Sequence, residues 1–368
     1  MKIGILTYFA SINYGAFLQA YSLQFVLKER YGNNVIVEMI NYDSKKSHDF
    51  YTHWRNEKDV YKYSKFIECR KKLNLTENAL ISDDINELSQ YIKGQEYDVV
   101  IVGSDEVWKT DGMRGFPNAY WLNYDIGRAI RAAYAVSGRS DYSLLSVKQK
   151  EFIKESVERF EYIGTRDRIT LKELSHISEH EVYSNCDPCF LMADFFRIKD
   201  LERIRTKWEL SSKKPCVLIL CNDYRFTIQF FREYNDDFNI LGGFIRNKEF
   251  THKYIYEVNP LELQELIAIS DIVITDLFHG TVFSLIQEAS FISIENEKCG
   301  RGKIENLLLE NDLADNLIYK CKDTDAFVKE IYIKIIGKLR TRKPEYDLII
   351  ENEKKKADSF FSFLDKVI

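Results

Sequence analysis

The sequence predicts an α/β protein made of two tandem doubly wound, Rossmann-like lobes. Three observations predict it. Short apolar or β-branched runs recur with helix-length stretches between them, and their continuous hydrophobicity means that each strand is covered on both faces. The rhythm stops near Asp187-Pro188 and then starts again. At 368 residues the chain is also long for one hydrophobic core and comfortable for two domains of roughly 100–200 residues.

The first lobe is expected over residues 1–185. Its strands are KIGILTY at 2–8, VIVEMINY at 35–42, VVIVG at 99–103, AAYAVS at 132–137 and a further run at 162–165. Residues 50–97 are polar, charged and helix-like, and are read as an insertion on this lobe. The second lobe is expected over 186–343, with strands CVLILC at 216–221, 239–241, 254–258, IVIT at 272–275 and FISI at 291–294. The tail, 344–368, alternates charged and apolar positions as an amphipathic helix that packs back on the lobes.

Composition narrows the function classes. With 45% hydrophobic and 30% charged residues the chain matches an ordinary globular protein. A net charge of −5 offers no basic surface, so a nucleic-acid partner is not expected. The start MKIGILTYF lacks a signal-peptide pattern, and no run of about 18 apolar residues occurs, so the expected location is cytoplasmic, without a membrane span. Seven cysteines are too sparse for a disulfide framework, and reduced, buried thiols are expected. Cys186 and Cys189 form a CxxC with a proline inside it and no second ligand pair, so no metal site is expected.

Ligands of open parallel sheets bind outside the carboxyl ends of the strands, and two such lobes are expected to leave a cleft there. Four post-strand loops carry the candidates. SINYGAFLQAY supplies Asn13, Gly15 and Gln19 at the start of a helix, where glycine admits close backbone approach and free N–H groups suit an anion. VVIVGSDEVW brings Ser104 and Asp105 directly after a strand, either as helix caps or as functional groups. Arg166 follows another strand and carries a fork suited to carboxylate or phosphate. In SDIVITDLFHGTVFSLIQE, Val282, Leu285, Ile286 and Ala289 fall at helical spacing after the strand IVIT. His279 therefore sits at a helix N-terminus, a place that favours anions, with the side chain best able to exchange a proton near neutral pH, and Gly280 beside it is expected to keep the backbone open to a ligand. There is no GxxxxGK[ST], GxGxxG after a strand, HExxH or GxSxG, which disfavours P-loop, nicotinamide and zinc enzymes.

Taken in order, KIGILTYFASINYGAFLQAYSLQ, DVVIVGSDEVW, AAYAVSG, IGTRDRIT, NCDPCFL and NPLELQELIAISDIVITDLFHGTVFSLI resemble the polysaccharide pyruvyl transferase family over residues 2–309. The resemblance implies a two-lobed fold like that of GT-B glycosyltransferases. It also implies an activity: a pyruvyl group moves from phosphoenolpyruvate onto two hydroxyls of a sugar in a bacterial surface polysaccharide or its lipid-linked precursor, forming a ketal. Phosphoenolpyruvate is then the donor substrate, and neither a cofactor nor a metal is expected. The implied partners are a glycan or glycolipid acceptor and, peripherally at the inner face of the plasma membrane, the membrane-bound machinery of polysaccharide synthesis. Such chemistry needs a proton donor, a base and cationic anchors. His279 is the expected donor or phosphate contact, Asp105 the base, and Arg166 the anchor for donor phosphate or carboxylate; Asn13, Gly15 and Gln19 would shape the acceptor side. Where some family members carry arginine two residues before the HG histidine, this chain has Leu277, and Arg301 or Lys303 would supply the missing charge. Two other readings fit the same lobes: a glycosyltransferase using a nucleotide sugar, and a non-catalytic component of a polysaccharide-synthesis complex.

Overall fold

The computed structural model describes residues 1–53, 57–139, 141–210, 213–244, 248–296, 302–341 and 344–368. The chain divides into two units, Met1–Met192 with Glu351–Ile368, and Ala193–Ile350.

The first unit is built on a six-stranded parallel sheet. Its strands are β1 (Lys2–Leu6), β2 (Ile36–Met39), β5 (Val99–Val102), β6 (Ile130–Val136), β7 (Tyr162–Thr165) and β8 (Val182–Ser184), in the spatial order β2-β1-β5-β6-β7-β8. Central β1 pairs on both sides, Ile3 with Val37 and with Val99. Every residue of β5 is buried, as an uninterrupted VVIV demands. Between β2 and β5 lie β3 (Tyr42–Asp43) and β4 (Leu80–Ile81), which pair with each other, helices α2 (Lys45–Thr52) and α3 (Glu57–Arg70), and a helix over Ile85–Gly94. Helix α1 (Tyr14–Tyr31) connects β1 to β2. The core on one side centres on Trp108 stacked on Trp121 at 4.9 Å, with the Trp108 indole N–H donating to the Tyr120 carbonyl.

The division between units falls after Met192 because Asp187 caps the short helix Pro188–Leu191, which packs against α1 and buries Cys189 and Phe190. The terminal helix, Asp358–Val367, also belongs to this unit. Its Phe360 ring lies 4.5 Å from that of Tyr134 and 5.4 Å from that of Tyr162, and Arg30 grips Asp365 at 2.6 Å.

The second unit holds another six-stranded parallel sheet: β9 (Cys216–Leu220), β10 (Asn239–Gly242), β11 (Lys253–Tyr254), β12 (Ile272–Thr275), β13 (Phe291–Glu295) and β14 (Leu317–Tyr319), ordered β11-β10-β9-β12-β13-β14. The strand expected over 254–258 is only Lys253–Tyr254. Beyond it the chain turns, and Asn259 closes a capping box on helix Pro260–Ile269, whose proline has no N–H for a ladder. Strands β8 and β14, three residues each, were not foreseen. Among the described cysteines five are buried, as expected, but Cys321 is exposed.

Both sheets reverse their strand order once. In the first unit the order turns between β1 and β5; in the second, between β9 and β12. Crevices at such switch points, outside the strand ends, are where doubly wound sheets take ligands.

Candidate active site

Six of the ten sequence-predicted residues lie on strand-end loops of the first unit, and three of these, Gln19, Ser104 and Arg166, turn inward. Gln19, one turn into α1, donates from its amide to Thr7 Oγ1 at 3.1 Å and accepts from the Ser104 N–H at 3.1 Å. Thr7 in turn donates to the Ser104 carbonyl at 2.8 Å, and the Ser104 hydroxyl donates to the Ala135 carbonyl at 3.0 Å. Gln19 and Ser104 are fully buried, so this closed network ties the β1–α1 loop to the turn after β5. That turn is tight. Gly103 has φ +108°, and a Cβ there would lie 2.2 Å from the Tyr134 carbonyl. Asp105 follows with φ +87°, a conformation that non-glycine residues adopt only under local constraint.

Arg166, at the end of β7, is 2% exposed. Its guanidinium donates to Asp187 at 2.7 Å and to Asp105 at 3.3 Å, with Ser104 Oγ at 3.4 Å. Burial alone would lower its pKa, but the Asp187 and Asp105 carboxylates outweigh burial and hold it above the ordinary arginine value. Asp187 is fully buried, whereas the Asp105 side chain is 15% exposed. The anchor expected for donor oxygens is thus enclosed by the protein's own carboxylates. Asn13 is exposed and caps α1, its side chain accepting from the Ala16 N–H at 3.1 Å; Gly15 is buried in the first helical turn.

In the second unit His279 is partly exposed in the first turn of the helix Phe278–Ile286, directly after β12. Leu277 occupies the N-cap and has no group with which to cap, so the turn lacks a side-chain acceptor there. The imidazole stands edge-on to Phe278, with ring centroids 5.4 Å apart. Lys303, at the start of the helix Lys303–Glu310, places its ammonium 5.4 Å from the Phe278 ring and so brings positive charge to this turn. Arg301 lies outside the described residues. Gly280 does not face open space: a Cβ there would lie 2.2 Å from Thr275 Oγ1, and its absence lets the helix seat on the end of β12.

Three residues of the strand-end loops escaped sequence reasoning. Asp187, partner of Arg166, is signalled by its place before a helix-initiating proline, the position of a cap. Asp276 accepts two bonds from the Asn222 N–H, at 3.0 and 2.9 Å, joining the loops after β9 and β12; burial raises its pKa. Glu295 at the end of β13 accepts from the Ile304 N–H at 3.2 Å and fills the next helix start with a carboxylate.

Two parallel-sheet units in tandem, each carrying its polar loops at a switch point, define the GT-B type of fold. Solved structures similar to the chain include a UDP-GlcNAc 2-epimerase from Neisseria meningitidis bound to UDP-GlcNAc, with TM-score 0.58 and 9% identity over 100% of both chains. They also include the Methanocaldococcus jannaschii UDP-GlcNAc 2-epimerase in complex with UDP-GlcNAc and UDP, with TM-score 0.55 and 13% identity over 100% of both chains. A third is S. aureus MnaA with UDP, with TM-score 0.57 and 12% identity over 100% of this chain and 97% of that one. At these identities they speak for the fold alone. Comparison with curated proteins gave no match. The model of the polysaccharide pyruvyl transferase family matches residues 13–298, and the chain belongs to that family of transferase enzymes.

Proposed function

We propose that the protein transfers a pyruvyl group from phosphoenolpyruvate onto two hydroxyls of one sugar in a surface polysaccharide or its lipid-linked precursor. The family match over residues 13–298 carries this reading. The reaction adds a proton to the methylene carbon, forms two C–O bonds to the acceptor oxygens at the neighbouring carbon, and breaks the C–O bond to phosphate. Of the two hydroxyl protons, one balances the new methyl group and the other leaves with phosphate.

The chemistry at each switch point supports roles for specific residues. His279 protonates the methylene carbon or contacts the phosphate, in an uncapped helical turn that favours negative charge and lies near the Lys303 ammonium. Asp105 removes a hydroxyl proton; its partly exposed carboxylate and its φ of +87° fit a side chain held in place for a purpose. Arg166 positions Asp105 through their 3.3 Å contact. Asn13, Gly15 and Gln19 set the conformation of the acceptor-side loop, and Lys303, with Arg301, provides donor charge. The site of action is cytoplasmic, at the inner face of the membrane where lipid-linked sugars are assembled; no described helix is long and apolar enough to cross a membrane.

Phosphorus NMR of the protein with phosphoenolpyruvate and a panel of sugar acceptors tests the reading. Acceptor-dependent phosphate release, with the ketal methyl signal in the proton spectrum, is the expected result. Calorimetric binding of nucleotide sugars, with no response to phosphoenolpyruvate, would overturn it.

A further inference from the structure

A cavity of about 570 Å³ lies in the first unit, between β3, β4 and the helices α2 and α3. Its volume sits in the range of roughly 300–1000 Å³ typical of small-molecule sites. No residue assigned a role above lines it. Phe9, Tyr42, Tyr51 and Tyr63 give it aromatic faces, while Asp43 and Arg70 are among its charged lining groups, with Lys71 and Glu77.

We propose that this cavity is the acceptor subsite and takes a saccharide, one or two pyranose rings in size. This rests on the transfer reaction proposed above. A pyranose has a face of C–H groups and a rim of hydroxyls, so it is recognised by aromatic surfaces together with planar polar side chains that pair with adjacent hydroxyls. The cavity supplies both. Arg70 lies 5.6 Å from the Tyr63 ring centroid, and its buried Nε meets no hydrogen-bond partner among the described residues. A buried donor of this kind is costly to leave unmade. Asp43 is 8% exposed; burial raises its pKa, against the opposing pull of Arg114. A carboxylate so placed accepts hydroxyl hydrogens readily.

The cavity wall also reaches the loop of the proposed base. Arg114 donates to Ser47 of α2 at 2.7 Å and to Ser11 at 3.1 Å, and it stacks over the Tyr8 ring at 3.6 Å. The Tyr8 hydroxyl donates to the carbonyl of Glu106, the neighbour of Asp105, at 3.2 Å. Asp43 of the cavity wall bonds to Ser47, so one polar chain runs from Asp43 through Ser47, Arg114 and Tyr8 to the proposed catalytic loop.

Saturation-transfer NMR on the full chain tests the proposal, with methyl glycosides of gluco, galacto and manno configuration and with lactose and cellobiose as probes. Wild type should bind at least one probe. Arg70→Met should weaken that binding roughly 10- to 100-fold, the loss expected from a charge-assisted hydrogen bond, and Tyr63→Leu roughly 2- to 10-fold through loss of an aromatic face, with phosphoenolpyruvate affinity and far-UV dichroism unchanged. Tyr63→Leu alone suffices if Arg70→Met fails to fold. Equal probe binding by wild type and variants, or no binding of any probe by wild type, overturns the proposal. If phosphoenolpyruvate is never consumed but probe binding is lost in the variants, the transfer reaction and the acceptor role fail together, while the cavity stands as a saccharide site.

Discussion

Replacing Arg166 with methionine should destabilise the first unit far more than any surface charge change. The guanidinium and Asp187 are 2% and 0% exposed and 2.7 Å apart, and Asp105 lies on the other side at 3.3 Å. Removing the cation leaves Asp187 buried without its counter-charge, a change that costs about 3–5 kcal/mol, against about 0–1 for an exposed pair such as Lys154 with Glu179. Since domains are stable by only about 5–15 kcal/mol, the loss is a large share of the total. For a unit of this size it corresponds to a drop of roughly 6–20 °C in unfolding temperature. Differential scanning calorimetry on wild type, Arg166→Met, Asp187→Leu and the double variant measures it. The double variant should recover part of the loss, because the two apolar side chains leave no buried charge unpaired. Unfolding of Arg166→Met at the wild-type temperature, or additive losses in the double variant, would refute the assignment of Arg166 to an internal ion pair.

Three further outcomes are expected. His279→Ala should abolish phosphate release from phosphoenolpyruvate while leaving the far-UV dichroism of the fold unchanged; wild-type turnover would remove His279 from the chemistry. Gly280→Ala should cost about 1–3 kcal/mol or more in denaturant unfolding, because its methyl would press on Thr275 Oγ1, itself held by the Leu220 carbonyl at 3.1 Å and the Leu277 N–H at 3.0 Å; a neutral variant would show that the helix can shift away. Although burial opposes it, contact with Lys320 and Arg225 lowers the Asp223 pKa from 3.8 to about 2, so this stabilisation is present above pH 3.8 and is lost as the pH falls towards 2. Lys320→Met should therefore cost on the order of 1 kcal/mol at neutral pH and progressively less as the pH falls below 3.8 and through about 2, and a cost that does not change with pH would contradict the pairing.

The strands that sequence alone exposes are those in which every residue is apolar or β-branched, such as VVIV in β5 and IVIT in β12, because burial on both faces favours that composition. The short strands are hidden for the converse reason. Residues of β8 are half-buried or exposed, and three of them carry too little pattern to separate from a loop. The expected strand at 254–258 shows the opposite error: an apolar run beside a capping asparagine is the approach to a helix, and the cap outranks the run. Strand order is not readable at all. It depends on which crossover lies beside which strand, and that is settled by packing rather than by any local pattern.

The sequence marks candidate positions but not the orientation of their side chains. A polar residue after an apolar strand is conspicuous, yet its type does not say whether it faces a ligand or the neighbouring loop. Gln19 and Ser104 face each other, and Arg166 faces an aspartate 21 residues further on. Their inward turn has a physical cause. Strand ends at a switch point carry backbone groups that no helix covers, and leaving these buried and unpaired would be costly, so side chains from the adjoining loops must satisfy them. The same bonds that satisfy the backbone hold the turn after β5 rigid and present one carboxylate, Asp105, at its rim. A charged group fixed before the substrate arrives needs no reorganisation during the reaction, which is the condition under which it lowers a barrier most. Thr7, Gln19, Ser104 and Arg166, bonded to one another or to the turn after β5, are therefore the residues that give Asp105 its fixed place.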